Sequence, residues 1–419
     1  MRDEELIVSG SSKQKHADKV VFTHGLVSEE TPQTQQEELD KANALEGVFH
    51  GMTLPNEEDV TVGAPGCQLC EVLPLPMRGP GTVHLRLPHT YTYGKVLEHL
   101  ACSPWKHREQ DGTLIIEVGV GSLAPLLSPI MDLMSSPGQR DTRVHFQPST
   151  ALPQLEEMQQ IEALPDFVQR ARSEWLLDIL RGQKLYSVFQ PILRANAQEG
   201  GRLEVHGYEC LLRADLHGGI VSPGPMLDMA RGAGLLFQLD LAARRAAVTG
   251  AAGHHIAEKI FINFSPNAIY NPYTCLNSTV RMVDELGLKR EQVVFEIIES
   301  ERLPELPHLQ RIVGYYKENG FGVALDDLGV GFSSLSLLIA LRPDYVKLDR
   351  SLIQDVDTDT GKALIARKLL EVAQELGLSA VAEGIERPEE WDWVRRHGAD
   401  FVQGYLFARP DRSPPLRAV

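Results

Sequence analysis

Long apolar runs are missing from this 419-residue chain; none approaches the ~20 residues that span a bilayer, so membrane insertion is not expected. Cysteine is scarce. Five residues, an odd number without a dense pattern, exclude a disulfide-stapled scaffold and agree with a reducing compartment. Met1-Arg2-Asp3-Glu4-Glu5 lacks a signal peptide's apolar core, so the expected location is cytoplasmic. Positive charge is in deficit: 41 Lys and Arg against 57 Asp and Glu leave a net charge of −16, which argues against a nucleic-acid polymer as partner. An anionic substrate must then be met by local cations or by metal. No glycine-rich phosphate fingerprint follows the first strand of the C-terminal half, which weakens a dinucleotide-binding reading.

The remaining composition, 43% hydrophobic and 23% charged, is that of an ordinary globular protein long enough for two domains. Residues 1–60 are polar, rich in Gln, Glu, Ser and Thr, and are expected to be mobile. Residues 61–150 read as a small α+β domain, with strands at Thr82 to Leu87, Thr113 to Val118 and Arg143 to Phe146. Its helical candidates are Tyr93 to Leu100 and Leu123 to Met134. Within it, Cys67-Gln68-Leu69-Cys70 has metal-knuckle spacing, and Cys102 with His107 completes four candidate zinc ligands. The bland alternative is a pair of thiols with an unrelated histidine. Leu155 to Leu180 reads as helix broken at Pro165, within a connector at 151–182. A catalytic unit at 183–412 and a tail at 413–419 complete the chain.

From Leu185 onward eight apolar runs alternate with helical segments, which predicts an α/β fold of the (β/α)8 TIM-barrel type. Polar residues interrupt or end these runs: Glu209, Asn263, Glu296, Asp326 with Asp327, Lys347, Glu383 and Gln403. In a barrel the C-terminal strand ends converge on one mouth, so residues far apart in sequence meet there. Buried acids cost several kcal/mol each unless paired or bound to metal. Carboxylates with one amide and one lysine make an oxygen-rich site suited to Mg²⁺ or Mn²⁺. Two neighbouring acids such as Asp326 and Asp327 suit a pair of cations about 3.5 to 4 Å apart that clamp a phosphodiester.

The motifs Tyr208-Glu209-Cys210-Leu211-Leu212-Arg213, Ile262-Asn263-Phe264-Ser265, Phe295-Glu296-Ile297-Ile298-Glu299 and Asp326-Asp327-Leu328-Gly329-Val330-Gly331 follow one another in this order. Lys347-Leu348-Asp349, Glu383-Gly384-Ile385-Glu386 and Gln403-Gly404-Tyr405 continue the series. Over residues 170–412 the set resembles the EAL-domain cyclic di-GMP phosphodiesterases. The name-giving triplet reads Glu-Cys-Leu, and Leu328 and Val330 replace the family's usual Phe and Thr.

The resemblance implies a barrel whose first strand is antiparallel, two metal ions, and hydrolysis of cyclic di-GMP to linear pGpG; regulation by the N-terminal domain, which lies outside the resemblance, is a separate expectation. It implies that Glu209, Asn263, Glu296 and Asp326 hold one ion, and Asp326, Asp327 and Glu383 the second. Lys347 then orients water or stabilises the oxyanion, and Glu299 anchors the Asp326 loop. Gln190, Arg213, Glu386 and Gln403 contact substrate. A homodimer is also implied, with Leu335, Leu338 and Ile339 on the helix after the loop as a candidate contact. The rival is a silent cyclic di-GMP receptor, but such members lose a ligand acid or the lysine, and all are retained here.

Overall fold

A computed structural model describes residues 73–74, 77–149, 161–196, 203–298, 303–329 and 334–416. The 1–60 stretch, Cys67, Cys70, Glu299, Val330, Gly331 and Ser333 lie outside them.

The N-terminal part runs β1 (Arg78–Arg86), α1 (Thr90–Ala101), β2 (His107–Gln110), β3 (Thr113–Ser122), α2 (Ala124–Asp132), α3 (Ser136–Asp141), β4 (Arg143–Pro148) and β5 (Glu162–Ala163). These strands form one antiparallel sheet in the order β2-β3-β1-β4-β5. Val83, Leu85, Leu114, Ile116 and Val144 line its buried face, as period-two alternation requires. Two short helices follow, α4 (Leu164–Arg172) and α5 (Glu174–Arg181).

The helix expected from Leu155 does not run up to Pro165: residues 155–160 lie outside the described ones, Glu162–Ala163 form β5, and the helix begins at Leu164. Pro165 occupies the first turn of α4, where its missing N–H costs nothing, and the chain breaks at Ser173 instead. The break divides the segment between two cores. Phe167, Val168 and Ala171 join the sheet core, whereas Leu176, Leu177, Ile179 and Leu180 pack on the helices that flank the second sheet.

That second sheet is built from β6 (Leu185–Arg194), β7 (Val205–Leu216), β8 (Gly219–Val221), α6 (Pro223–Ala233), α7 (Leu236–Gly253), β9 (Lys259–Phe264), α8 (Pro272–Cys275) and α9 (Asn277–Glu285). It continues through β10 (Val293–Ile298), α10 (Leu306–Glu318), β11 (Gly322–Leu328), α11 (Ser334–Leu341), β12 (Tyr345–Leu348) and α12 (Arg350–Ile353), then α13 (Thr360–Glu375), β13 (Ser379–Ala382), α14 (Pro388–Arg396) and β14 (Phe401–Val402). The order β6-β14-β13-β12-β11-β10-β9-β7 closes through β6–β7 pairing into an eight-strand barrel, with β8 as a hairpin appendage. β6 is antiparallel to both neighbours and the other barrel pairings are parallel, as the resemblance implied.

Sequence sets the barrel in layers. Ile192, Phe261, Val294, Ala324, Tyr345, Val381 and Phe401 form an apolar cluster inside it. Because side chains alternate along a strand, the next inward position is two residues on. From Phe261, Val294, Ala324, Tyr345, Val381 and Phe401 that step leads to Asn263, Glu296, Asp326, Lys347, Glu383 and Gln403. In the reversed strand it runs backwards, from Ile192 to Gln190. One apolar floor thus carries one polar ring.

At the opposite strand ends, Asp344 and Asp400 stand just before β12 and β14 and accept the N–H groups of Val323 (2.9 Å) and Ala380 (2.8 Å) from the preceding strands. Each staples two strand starts together.

β14 stops at Val402, because Gln403 and Gly404 turn the chain over the Glu383 loop. Ile385 donates its N–H to the Gln403 carbonyl and Leu406 donates to Ile385. Gly404 permits this approach: a Cβ there would lie 2.0 Å from the Ile385 carbonyl oxygen. Backbone atoms cannot swing aside as a flexible side chain does. Gly404→Ala is therefore expected to lower unfolding free energy by about 1–3 kcal/mol, measured by urea denaturation. Unchanged stability would show that the two segments are not packed in this way.

Candidate active site

The polar ring is centred on Lys347. Its ammonium is fully buried and lies 2.6 Å from Glu383 Oε1, 2.9 Å from Glu296 Oε1, 3.3 Å from Asp326 Oδ1 and 3.5 Å from Glu209 Oε2. Lys347 thus pairs with the ring acids; Asp349 instead caps α12 by accepting the Ser351 N–H at 2.8 Å.

Glu209 is the best supported of the acids. Gln403 donates to its Oε2 at 2.7 Å, and Asn263 donates to its Oε1 at 3.1 Å. Gln403 also donates to Gln190 at 3.2 Å, and Gln190 faces Glu209 directly across the β6–β7 ladder. Both glutamines are buried and bear on Glu209.

Asp326 and Asp327 occupy a distortion in β11. Between Leu325 and Leu328 the register against β12 shifts, with Leu325 facing Val346 and Leu328 facing Leu348, so β11 holds one residue more than its partner. Asp327 takes up the irregularity with φ +57°, a region that short polar side chains tolerate better than others. Its N–H donates to Asp326 Oδ1 at 2.9 Å. Successive strand residues normally face opposite ways, and the bulge changes the aim of the second acid.

One ammonium cannot neutralise four carboxylates, and the proton affinities show the strain. Burial pushes Glu296 and Glu383 well above the usual carboxylate range despite Lys347. Burial, with Glu209 and Asp327 nearby, raises Asp326 to about 6 against the pull of Lys347. Burial acts on Glu209 as well, but Lys347 and the Gln403 and Asn263 hydrogen bonds outweigh it and leave that acid below its ordinary value. Lys347 loses stabilisation to burial, yet the surrounding acids hold it well above its ordinary value.

The donor set fits a divalent cation. Glu296 Oε1 lies beside the Lys347 ammonium, but its buried Oε2 accepts no hydrogen bond, and the buried Asn263 Oδ1 also has none. Glu209, Glu296 and Asp326 each offer an oxygen within 4.8 Å of the others, the one such acid, His or Cys group among the described residues. Orphaned oxygen acceptors beside excess negative charge are what a hard cation satisfies.

The zinc reading gains no support. Cys67 and Cys70 lie outside the described residues, Cys102 is a free exposed thiol, and His107 Nδ1 is 3.2 Å from the Trp105 carbonyl.

The remaining candidates lie at the rim. Arg213, two alternations beyond Glu209 on β7, lines a cavity of about 470 Å³ with Tyr186, Tyr405, Arg409 and Arg412. Arg409 sits over the Tyr405 ring at 4.2 Å, and Arg412 over Tyr186 at 3.8 Å while also pairing with Asp215. Nothing in the sequence singles out Arg409 or Arg412 beyond two cations three residues apart after the last strand. Glu386 is exposed and pairs with Arg350 at 2.9 Å, facing solvent rather than the ring.

This chain is similar to known proteins. The probable cyclic di-GMP phosphodiesterase PdeG of Escherichia coli (strain K12) is 33% identical over 242 residues, covering 57% of this chain and 46% of that protein. The chain thus spans about half the length of this curated relative. Among solved structures, an EAL domain protein from Listeria monocytogenes EGD-e is 27% identical with a TM-score of 0.50, covering 57% of this chain and 94% of the other. The PaMucR phosphodiesterase, in complex with c-di-GMP, is also 27% identical with a TM-score of 0.50, covering 58% and 97%. The EAL domain model matches residues 173–410, more than half of the chain and the whole of the polar ring, and the chain belongs to the EAL domain family.

Proposed function

We propose that this protein is a divalent-metal-dependent phosphodiesterase that opens cyclic di-GMP to linear pGpG. The observation that carries the reading is the ring of four carboxylates around Lys347, each within 3.5 Å of its ammonium at the C-terminal strand ends. The PdeG relative and the PaMucR complex support the substrate.

Glu209, Asn263, Glu296 and Asp326 would hold one Mg²⁺ or Mn²⁺, and Asp326, Asp327 and Glu383 a second. Such ions, when bound, supply a water acidic enough to attack phosphorus and neutralise charge on the phosphoryl oxygens. The chain's own residues do the rest. Lys347, held protonated by its acids, is not a general base; it aligns the ligand carboxylates and stabilises negative charge as it develops. Gln190 and Gln403 fix Glu209. The apolar floor excludes water from below. At the rim, Arg213 and Arg409 offer cations to the phosphates, and Tyr405 offers an aromatic face to a guanine.

Two wider features belong to the same reading. α11 follows the Asp326-Asp327 segment and leaves Leu335 and Ile339 at 52% and 71% exposure, while Leu338 turns inward. We assign that exposed pair to a homodimer contact. The N-terminal sheet is assigned a regulatory role, since Arg78 of β1 pairs with Glu174 and Asp178 of α5, the helix packed on Ala214 of β7 and on α6.

Purified protein with cyclic di-GMP and Mg²⁺ or Mn²⁺ should release pGpG, as followed by chromatography. Glu209→Ala and Asp326→Asn are each expected to reduce turnover at least about 10²-fold while the fold persists. Binding of cyclic di-GMP without pGpG release would instead make the protein a receptor. Metal binding must also depend on pH. With Asp326 raised to about 6, the metal-free folded state holds a proton that the unfolded chain has lost, so this group's stability contribution falls as pH rises through roughly 4 to 6. A cation displaces that proton. Saturating Mg²⁺ should therefore raise the melting temperature by about 5 °C or more at pH 8 and by much less at pH 5, in thermal-shift measurements. An equal shift at both pH values contradicts the site. Sedimentation should show a dimer that Ile339→Glu converts to monomer; a wild-type monomer rejects the assigned contact.

A further inference from the structure

Behind the ring, α7 carries a second buried charge pair. Asp240 and Arg244 are 6% and 2% exposed, and they meet through Nε at 2.9 Å and the NH2 nitrogen at 2.8 Å, both on Asp240 Oδ2. Arg244 also donates to the Thr279 hydroxyl on α9. A buried ion pair is an expensive way to join two helices, since apolar side chains of similar volume often do so as well. Its other oxygen gives the pair a second use. Asp240 Oδ1 accepts the Ser265 N–H at 2.8 Å, just beyond the end of β9.

That peptide lies where the β9 ladders run out. Pairing with β7 ends at Ile262, and pairing with β10 ends at Phe264. Asn263 stands between: its Nδ2 donates to Glu209, and its buried Oδ1 accepts no hydrogen bond. The first side-chain anchor past the ladders on its C-terminal side is the Asp240 carboxylate, while the Ser265 carbonyl takes the Ala268 N–H at 2.9 Å. Arg244 holds that carboxylate in place, and the Thr279 contact ties the arginine to a second helix.

We infer that Asp240, locked by Arg244, is a positioning residue that sets where Asn263 Oδ1 stands relative to Glu209 and Glu296, and thereby sets affinity at the first cation site. This rests on the metal-dependent reading above. Asp240 touches neither substrate nor ion; it acts through the strand end. Loss of its Oδ1 frees the Ser265 peptide, lets the end of β9 relax, and separates the amide from the acids.

The test is Mn²⁺ affinity of the metal-free full chain, measured by electron paramagnetic resonance titration alongside melting temperature. Asp240→Ala should weaken Mn²⁺ binding about tenfold or more, the range for residues that orient metal ligands. Asp240→Asn keeps an oxygen acceptor for Ser265 and should recover part of that loss. Thr279→Val leaves the carboxylate in place and only loosens Arg244, so a loss of about two- to threefold is expected; this variant decides the matter if Asp240→Ala does not fold. Folded variants that lose melting temperature but bind Mn²⁺ as tightly as wild type overturn the inference and leave a purely structural pair. Wild-type protein that binds no Mn²⁺, indistinguishable from Glu209→Ala, overturns the metal-dependent reading itself.

Discussion

One ammonium group buried among four carboxylates governs the organisation of the barrel mouth. Lys347 cannot be removed without leaving uncompensated acids in a dry interior, and the acids cannot be removed without stranding the lysine. The ring nevertheless carries more negative charge than Lys347 can balance. Burial pushes Glu296, Glu383 and Asp326 toward the protonated form. A divalent cation, when bound, would relieve the same imbalance by displacing those protons. The neutral amides of Asn263 and Gln403 help Lys347 hold Glu209 ionised without adding charge, and Gln190 accepts from Gln403.

Much of this was legible in the sequence because a barrel converts local pattern into global position. Each strand reads as an apolar run, and in β9 to β14 one polar residue falls two positions past an inward apolar one. The parity of a strand therefore predicts that Phe261 and Asn263, or Tyr345 and Lys347, share a face, and the fold brings those faces together. Gln190 obeys the same parity with its sign reversed. That reversal followed from the family resemblance rather than from any period in the run itself, since alternation is blind to direction.

Other features were not legible for equally physical reasons. The bulge at Asp326-Asp327 depends on how β11 pairs with β12, a relation that no local window contains. Pro165 reads as a helix breaker in isolation, but proline is tolerated in a helix's first turn, and which role applies depends on where the helix starts. β14 ends at Val402 because Gln403 and Gly404 are needed to cover the Glu383 loop, and that competition lies between segments about twenty residues apart. The hydrogen bond from Ser265 to Asp240 likewise joins distant residues, and an aspartate on an amphipathic helix is ordinarily a solvated one.

The antiparallel course of β6 has a consequence for how the chain is threaded. In a barrel with every strand parallel, the polypeptide enters the first strand from the face opposite the chemistry. Here Leu185, where β6 begins, pairs with Ala214, near the end of β7, so the chain enters beside the mouth. α5, which immediately precedes it, packs on that same Ala214. The point of entry and the polar ring lie at the same end of the barrel. Whatever precedes residue 174 is therefore brought to the ring's end of the barrel by connectivity alone, and an exchanged upstream module would adjoin that end without any change to the barrel.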